Sequence, residues 1–371
     1  MRVLLSGGGT AGHIYPALTV AERLRAEGHE VAFVGTPDGL EARLVEEAGI
    51  AFFGVQARGF DRARPLTLIT SSALLLRSLS RARSLIRTWG PDVVFGFGGY
   101  VSLPVGFAAL IRRVPLVLHE QNSVPGLANR VLSRWARAVG VTYEASIEHL
   151  AHPERAVVTG NPVREAVLRA DRERGRAALG LDPDATVLLV FGGSRGARHL
   201  NETFAGMASR LAALTSLQVV HVAGRIEAAP VAERVASELG DVSGRYNVAD
   251  YIDGMGDAIA AADLVVARAG ATSIAEITAI GRASVLVPYP YATDDHQTLN
   301  ARAVADAGGA LVFADAEIDG APFAEAVTGL LEDADRRDGM ARAAAMLGRR
   351  DADERVAALA TGTGVLREET R

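Results

Sequence analysis

The sequence predicts an α/β chain made of two doubly wound parallel-sheet domains in succession. Three observations carry this. Short Val- and Leu-rich runs without alternation, at 3–6, 92–97 and 186–191, read as strands buried on both faces. Each run is followed by a turn and then a helix, and repeated β–α units imply a parallel sheet. The pattern also restarts: TVLLVFGGSRGARHLNETF at 186–204 echoes RVLLSGGGTAGHIYPALTV at 2–20, after a charged, turn-rich segment at 164–184.

In order, residues 3–6 read as a strand and 12–27 as a helix, and 30–34 with 39–48 repeat the pair. Strands at 92–97 and 116–118 each lead into a turn and a helix. This Rossmann-like domain ends near Asn161–Pro162. After the restart, strands are expected at 218–222, 264–267 and 284–287. Roughly the last 40 residues are Arg- and Ala-rich and helical, without strand signals. Ligands of such folds lie beyond the carboxyl ends of the strands, so a cleft is expected between the Gly-rich loops of the two domains.

Length and composition agree. The 371 residues are long for one domain and suit two, and 49% apolar with 22% charged residues fits a globular protein with a large core. A net charge of -5 gives no reason to expect a nucleic-acid partner. Cysteine is absent, which excludes disulfides and thiolate metal sites and favours a cytoplasmic setting. No signal peptide and no membrane span is expected. The chain has no lysine, so all 39 basic residues are arginine. Any phosphate is therefore held by Arg, backbone N–H groups or a helix N-terminus, and P-loop and kinase chemistry are excluded.

The GGGTAG of the first turn matches a dinucleotide loop, but that site needs an acidic residue at the end of the second strand. Here that strand ends in Val34–Gly35 and Asp38 comes too late. Further Gly-rich turns at 96–99 and 192–196 argue for ligand-binding loops over bare turns. LHEQNSVPGLANR at 118–130 places His119, Glu120, Gln121 and Asn122 just past a strand. Asn122 is read as a ligand contact, and His119 and Glu120 as structural. TGNPVR at 159–164 is compatible with an ordinary linker or with a binding role for Arg164. In RAGATSIAEITAIG, Thr272 or Ser273 is expected to cap a helix whose first turn admits a phosphate. Glu276 lies one turn inside, spaced either to hold ribose hydroxyls or to form a capping box with Ser273. Asp294–Asp295 reads as a solvated helix start and not a metal site, and Gln297 and Asn300 share one helix face suited to hydroxyls.

Together these motifs resemble the bacterial lipid I N-acetylglucosaminyltransferases of glycosyltransferase family 28, the undecaprenyldiphospho-muramoylpentapeptide β-N-acetylglucosaminyltransferases. GGGTAGHIYPAL, GFGGYVSLP, HEQNSVPGLANR, GNPVR, GGSRGARHLN, VADYIDGM, RAGATSIAEI and DDHQTLNA appear in the family's order, from residue 6 to about residue 310. Ala11 and Arg195 stand where the family often has glycine and glutamine. The resemblance implies a GT-B fold, with an acceptor- and membrane-binding domain at 1–162 that takes back a C-terminal helix at about 348–371. A UDP-GlcNAc-binding domain spans 163–347.

The implied reaction moves N-acetylglucosamine from UDP-GlcNAc to the C4 hydroxyl of the muramoyl unit of lipid I. It inverts the anomeric configuration and gives lipid II for peptidoglycan. The implied donor contacts are Thr10, Ala11, Gly12, Asn122, Arg164, Ser194, Ile252, Ala271, Thr272, Ser273, Glu276 and Gln297. The implied contacts for the acceptor diphosphate are Gly8, Gly9, Thr10, Gly98, Gly99 and Tyr100. No cofactor or metal is expected. The implied partners are lipid I, an anionic membrane surface, and other cell-wall synthesis or division proteins.

Inversion requires a base, and His13 at the end of the first strand is the candidate; a loop-orienting role competes with it. The helix starting near Thr272, aided by Ser194, would stabilise departing UDP. Residues 66–89 combine leucines with Arg77, Arg81, Arg83 and Arg87. They suit either an anionic membrane face, contacted by Leu75, Arg77, Leu79 and Arg81, or a core helix with a basic edge. Another GT-B UDP-sugar enzyme, such as a glycolipid transferase or a UDP-GlcNAc 2-epimerase, would lack HEQN and GGYVS together. A non-enzymatic nucleotide-sugar binder would have no use for His13.

Overall fold

The computed structural model describes residues 1–57, 67–193 and 197–362, and of residues 67–73 and 241–243 only the backbone. The chain divides into two compact units, Met1–Arg164 with Arg349–Arg371, and Glu165–Gly348. The first unit keeps Val163 and Arg164, two residues beyond the expected boundary. Val163 is buried, and the Arg164 guanidinium stacks 4.6 Å from the ring centre of Tyr15.

The first unit holds β1 (Arg2–Ser6), β2 (Glu30–Gly35), β3 (Ala51–Gly54), β4 (Val93–Gly96), β5 (Leu116–Glu120), β6 (Ala138–Val141) and β7 (Ala156–Val158). They form one parallel sheet in the order β3-β2-β1-β4-β5-β6-β7. The second unit holds β8 (Thr186–Phe191), β9 (Leu217–Val222), β10 (Tyr246–Ala249), β11 (Leu264–Arg268), β12 (Ala283–Val287) and β13 (Ala310–Val312), in the order β10-β9-β8-β11-β12-β13. β3, β6, β7, β10 and β13 were not expected from the sequence. Each has only three or four residues, and the edge strand β3 is exposed or half-buried throughout, so its apolar run is weak.

Alternate residues of the central strands enter opposite cores. Val3, Leu5 and Phe95 pack on one face of the first sheet, and Leu4, Val94 and Leu118 on the other. In the second unit Leu188 and Val190 face away from Val187 and Leu189. Burial on both faces explains why these runs are apolar without alternation.

In both sheets the strand order reverses beside the first strand, between β1 and β4 and between β8 and β11. At such a switch point the two flanking loops diverge and leave a crevice past the strand ends. The turns at 7–10 and 97–101, and the residues 192–193 and 269–270 that follow β8 and β11, are the segments concerned.

The helix Ala352–Thr361 belongs to the first unit. Its Val356, Ala357, Leu359 and Ala360 share a core with Ile14 and Ala17 of the helix Ala11–Ala26. Arg137 donates to the carbonyls of Leu359 at 2.9 Å and Ala360 at 3.2 Å, the favourable end of that helix for a cation. Residues 363–371 of the expected terminal helix lie outside the described residues.

The helix Thr67–Trp89 divides its leucines between core and surface. Leu75 and Leu76 are exposed, as are Arg77, Arg81, Arg83 and Arg87, while Leu79 packs against the core of the first unit. Of the expected membrane contacts, Leu79 is half-buried, with part of its side chain covering Val- and Ala-lined core. Arg81 Nε donates to the Gly54 carbonyl at 2.7 Å. Among the described residues no helix is long and apolar enough to cross a membrane.

Candidate active site

Both loops at the first switch point are glycine-rich because their backbones touch. Gly99 has φ 79°, and a β-carbon there would lie 2.4 Å from the Gly8 carbonyl oxygen. Only glycine meets both conditions. Ser102 Oγ donates to the Gly98 carbonyl at 2.6 Å and fixes the second loop from below. The helix Ala11–Ala26 starts from Thr10 with no side-chain cap and no acidic residue in its first turn, so its N–H groups suit an anion.

His13 lies in that first turn, half-buried. Its Nδ1 is 3.0 Å from the Gly8 carbonyl oxygen and 3.2 Å from Thr10 Oγ1. A carbonyl only accepts, so Nδ1 carries the hydrogen in the neutral ring and Nε2 keeps its lone pair. The ring packs against Gly98, where a β-carbon would lie 3.2 Å from His13 Cδ2 and 3.3 Å from Nε2. The structure thus brings together His13, Gly8, Gly9, Thr10, Gly98, Gly99 and the exposed Tyr100.

Glu41 was not foreseen. It is buried beneath this loop, with Oε1 accepting from the Thr36 N–H at 2.8 Å and Oε2 without a partner among the described residues. A cavity of about 200 Å³ opens beside it, lined by Gly8, Gly9, Asp38 and Tyr100 among others and, among the described residues, by no basic side chain. An anion at Gly8 and Gly9 would therefore have an acidic wall on one side.

The loop after β5 is organised around one carboxylate. Glu120 Oε1 accepts from the backbone N–H of Asn122 at 3.0 Å, and Oε2 from Gly126 N–H at 3.1 Å and Asn129 Nδ2 at 2.8 Å. His119 is fully buried; Nε2 donates to the Gly160 carbonyl and Nδ1 accepts from Gln121, both at 3.0 Å. Burial lowers its pKa to about 4, so the ring is neutral at pH 7. This bond ties the HEQN loop to the GNPVR turn. Of the four polar residues in HEQN only Asn122 is more than marginally exposed.

In the second unit Ser194 lies outside the described residues, as does Arg195. The helix Ala271–Ile280 starts earlier than either expected cap allows: its N-cap is Gly270, two residues before Thr272 and three before Ser273, with no side-chain acceptor and no acidic residue in the first turn. Neither Thr272 nor Ser273 caps it, and Ser273 and Glu276 form no capping box. Gly270 already has the extended backbone that a cap requires, which puts Ala271, Thr272 and Ser273 inside the first turn. Thr272 Oγ1 is buried and without a partner among the described residues, and Glu276 is buried one turn further on.

Ile252 is half-buried after β10. Gln297 Oε1 accepts from the Tyr289 N–H at 2.9 Å, so its amide nitrogen is the end that faces other acceptors. Asn300, one turn further on, is fully buried. Asp294 and Asp295 both have φ 51°, and Asp295 accepts from Thr298 Oγ1 at 2.7 Å. Among the described residues no group of three or more His, Asp or Glu is placed to hold a metal ion.

A model of the glycosyltransferase family 28 N-terminal domain matches residues 3–141, and one of the family's C-terminal domain matches residues 187–356. The UDP-N-acetylglucosamine–N-acetylmuramyl-(pentapeptide) pyrophosphoryl-undecaprenol N-acetylglucosamine transferase of Halothermothrix orenii is 40% identical over 353 residues, covering 94% of this chain and 95% of that protein. The chain belongs to glycosyltransferase family 28. A second family 28 relative, the transferase of the same name from Desulfitobacterium hafniense, is 40% identical and covers 95% of this chain and 96% of its own length. Among solved structures, that of Acinetobacter baumannii MurG is 28% identical, with a TM-score of 0.78 and coverage of 97% of this chain and 99% of that one. Two all-parallel Rossmann-like units in this order are the family 28 version of the GT-B fold. The chain is a glycosyltransferase.

Proposed function

We propose that this chain transfers N-acetylglucosamine from UDP-GlcNAc to the C4 hydroxyl of the muramoyl unit of lipid I. The products are lipid II and UDP, and the reaction serves peptidoglycan biosynthesis. The full-length relatives carry this activity in their names. The single observation in this chain that favours it is the His13 ring, held through Nδ1 by the Gly8 carbonyl so that Nε2 is the basic atom.

The step proposed is a direct displacement. His13 Nε2 takes the proton of the C4 hydroxyl as its oxygen bonds to the anomeric carbon. The bond from that carbon to the UDP β-phosphate breaks on the opposite face, which inverts the configuration. The growing charge on UDP is met by the uncapped first turn of Ala271–Ile280, with Ala271, Thr272 and Ser273, and by Ser194. Glu276 takes the ribose hydroxyls, Ile252 and Arg164 the uracil, and Asn122 and Gln297 the sugar, with Thr10, Ala11 and Gly12 as further donor contacts. The first turn of Ala11–Ala26, with Gly8, Gly9, Gly98, Gly99 and Tyr100, holds the acceptor diphosphate. No metal or other cofactor takes part in this reading.

The decisive assay measures UDP release from UDP-GlcNAc in excess EDTA, with and without a lipid I analogue. Release that depends on the analogue is expected. Release independent of it rejects the acceptor assignment, and activity that EDTA abolishes and Mg²⁺ restores rejects the metal-free step.

The acceptor is a lipid, so the enzyme works as a peripheral protein on the cytoplasmic face of the plasma membrane. The exposed Leu75 and Leu76 beside Arg77 and Arg81 support this face as the contact. Co-sedimentation with anionic vesicles, lost at high salt, is expected; equal sedimentation with neutral vesicles counts against it. Roles in cell shape, division and the cell cycle, with cell-wall synthesis or division proteins as partners, follow from the product.

A further inference from the structure

His199 is the second residue of the helix Arg198–Gly206, directly after the Gly-rich loop that follows β8. Its ring sits between two carboxylates. Nδ1 is 2.8 Å from Asp315 Oδ2, and Nε2 is 2.8 Å from Asp319 Oδ2. Ionised carboxylates only accept, so both ring nitrogens must donate and the ring is an imidazolium.

The contacts continue past the histidine. Asp315 Oδ1 is ion-paired at 2.5 Å with Nη1 of the buried Arg268, the last residue of β11. Arg268 also donates to the Pro288 carbonyl at 3.2 Å, and the next residue, Tyr289, gives its N–H to Gln297. Asp319 is held in turn by Thr203 Oγ1 at 2.9 Å, one turn along the helix from His199. One chain of polar contacts thus links the first turn of Arg198–Gly206, the end of β11 and the loop after β12. All three lie at the carboxyl edge of the second sheet.

We propose that His199, in its charged form, is a positioning residue for the donor diphosphate. It staples the first turn of Arg198–Gly206 to Asp315, and through Asp315 it fixes Arg268 and the two loops beside it. This rests on the reading that the second unit holds UDP-GlcNAc. The group acts without touching the donor, by holding in place the backbone that does.

The carboxylates on both sides raise the His199 pKa above its ordinary value, the bond to Asp319 contributing most and that to Asp315 next. Burial alone would raise the Asp315 carboxyl, but hydrogen bonds from His199 and Arg268 more than offset it and hold it low. Bonds from His199 and Thr203 hold Asp319 low. The neighbouring Arg198 is paired with Glu227. A raised histidine pKa means that the staple is complete below pH 6.5 and is lost as pH rises through the raised value. The depressed carboxyls keep it intact on the acid side down to below their ordinary 3.8.

The test is UDP-GlcNAc binding to the full chain by calorimetry between about pH 6 and pH 9, a range in which the donor's diphosphate keeps its charge. Wild-type affinity should fall about tenfold across it, the size of one charge-assisted hydrogen bond. His199→Gln should bind weakly at every pH, with kcat at saturating donor changed less than about threefold. His199→Arg, a permanent cation able to reach both carboxylates, should restore tight binding without the pH dependence. Wild-type affinity in His199→Gln overturns the proposal, and so does His199→Arg binding as weakly as His199→Gln while melting at the wild-type temperature. Asp319 is mostly exposed, so Asp319→Asn serves if His199→Gln does not fold. Weaker binding at pH 6 then supports the proposal and unchanged binding overturns it. If the wild type itself does not bind UDP-GlcNAc, the donor-site reading fails and this inference with it.

Discussion

Replacing His13 by alanine or asparagine should lower kcat about 10²- to 10⁴-fold, with donor affinity changed less than about threefold. The expectation comes from where the ring's hydrogen must be. The Gly8 carbonyl accepts from Nδ1 at 3.0 Å, so the lone pair is on Nε2. Asparagine keeps a donor for Gly8 and removes the base. It therefore separates proton abstraction from the loop-orienting role that a histidine at a helix start also suits. A structural role predicts that asparagine retains most of the activity. Steady-state rates with a lipid I analogue, alongside UDP-GlcNAc binding, decide it. Undiminished kcat in His13→Asn would remove the residue from the chemistry.

Gly99→Ala should abolish measurable transfer and destabilise the first unit by about 2–4 kcal/mol, from the strain of a non-glycine residue at positive φ together with a steric clash. The added carbon would lie 2.4 Å from the Gly8 carbonyl oxygen, with φ at 79°. Relief requires the loops at 7–10 and 97–101 to separate. That moves the carbonyl which orients His13, so loss of rate and loss of stability should go together. Gly329→Ala is the matched control: it lies within the helix Ala321–Glu332, and a β-carbon there meets nothing within 4 Å. Thermal unfolding of both variants, with rates below the transition, tests the pair. A Gly99→Ala protein with wild-type rate and melting temperature would show that the loops do not constrain each other.

The centre of each sheet was legible because strands buried on two faces leave short Val- and Leu-rich runs without alternation, each ended by a Gly-rich or polar turn. The edges were not: β3 and β13 have four and three residues, most of them only half-buried, and leave too short a run. The loops of the candidate site were legible for a related reason. Glycines that permit a backbone contact stand next to a histidine in the sequence as they do in space. What depended on distant residues could not be read. Nothing near Glu41 says that its carboxylate lies under Gly8, and nothing near His199 announces Asp315 and Asp319, more than a hundred residues on. The S-x-x-E spacing at Ser273 suggested a cap, but spacing alone does not say which of several small residues turns the chain, and Gly270 does so. Leucine periodicity in Thr67–Trp89 likewise could not apportion Leu75 to the surface and Leu79 to the core.

The helix Ala352–Thr361 has a consequence for how the protein is made. It closes the core of a unit whose other residues are the first 164 of the chain. On the ribosome, the apolar face of Ala11–Ala26 must wait while the whole of the second unit is synthesised between the two halves of its partner surface. The second unit is one unbroken stretch, Glu165–Gly348, and has every residue it needs before the first is complete. Order of synthesis and order of completion are therefore reversed: the part made first is finished last. For that interval the nascent chain carries an unsealed hydrophobic groove, the sort of surface that chaperones bind.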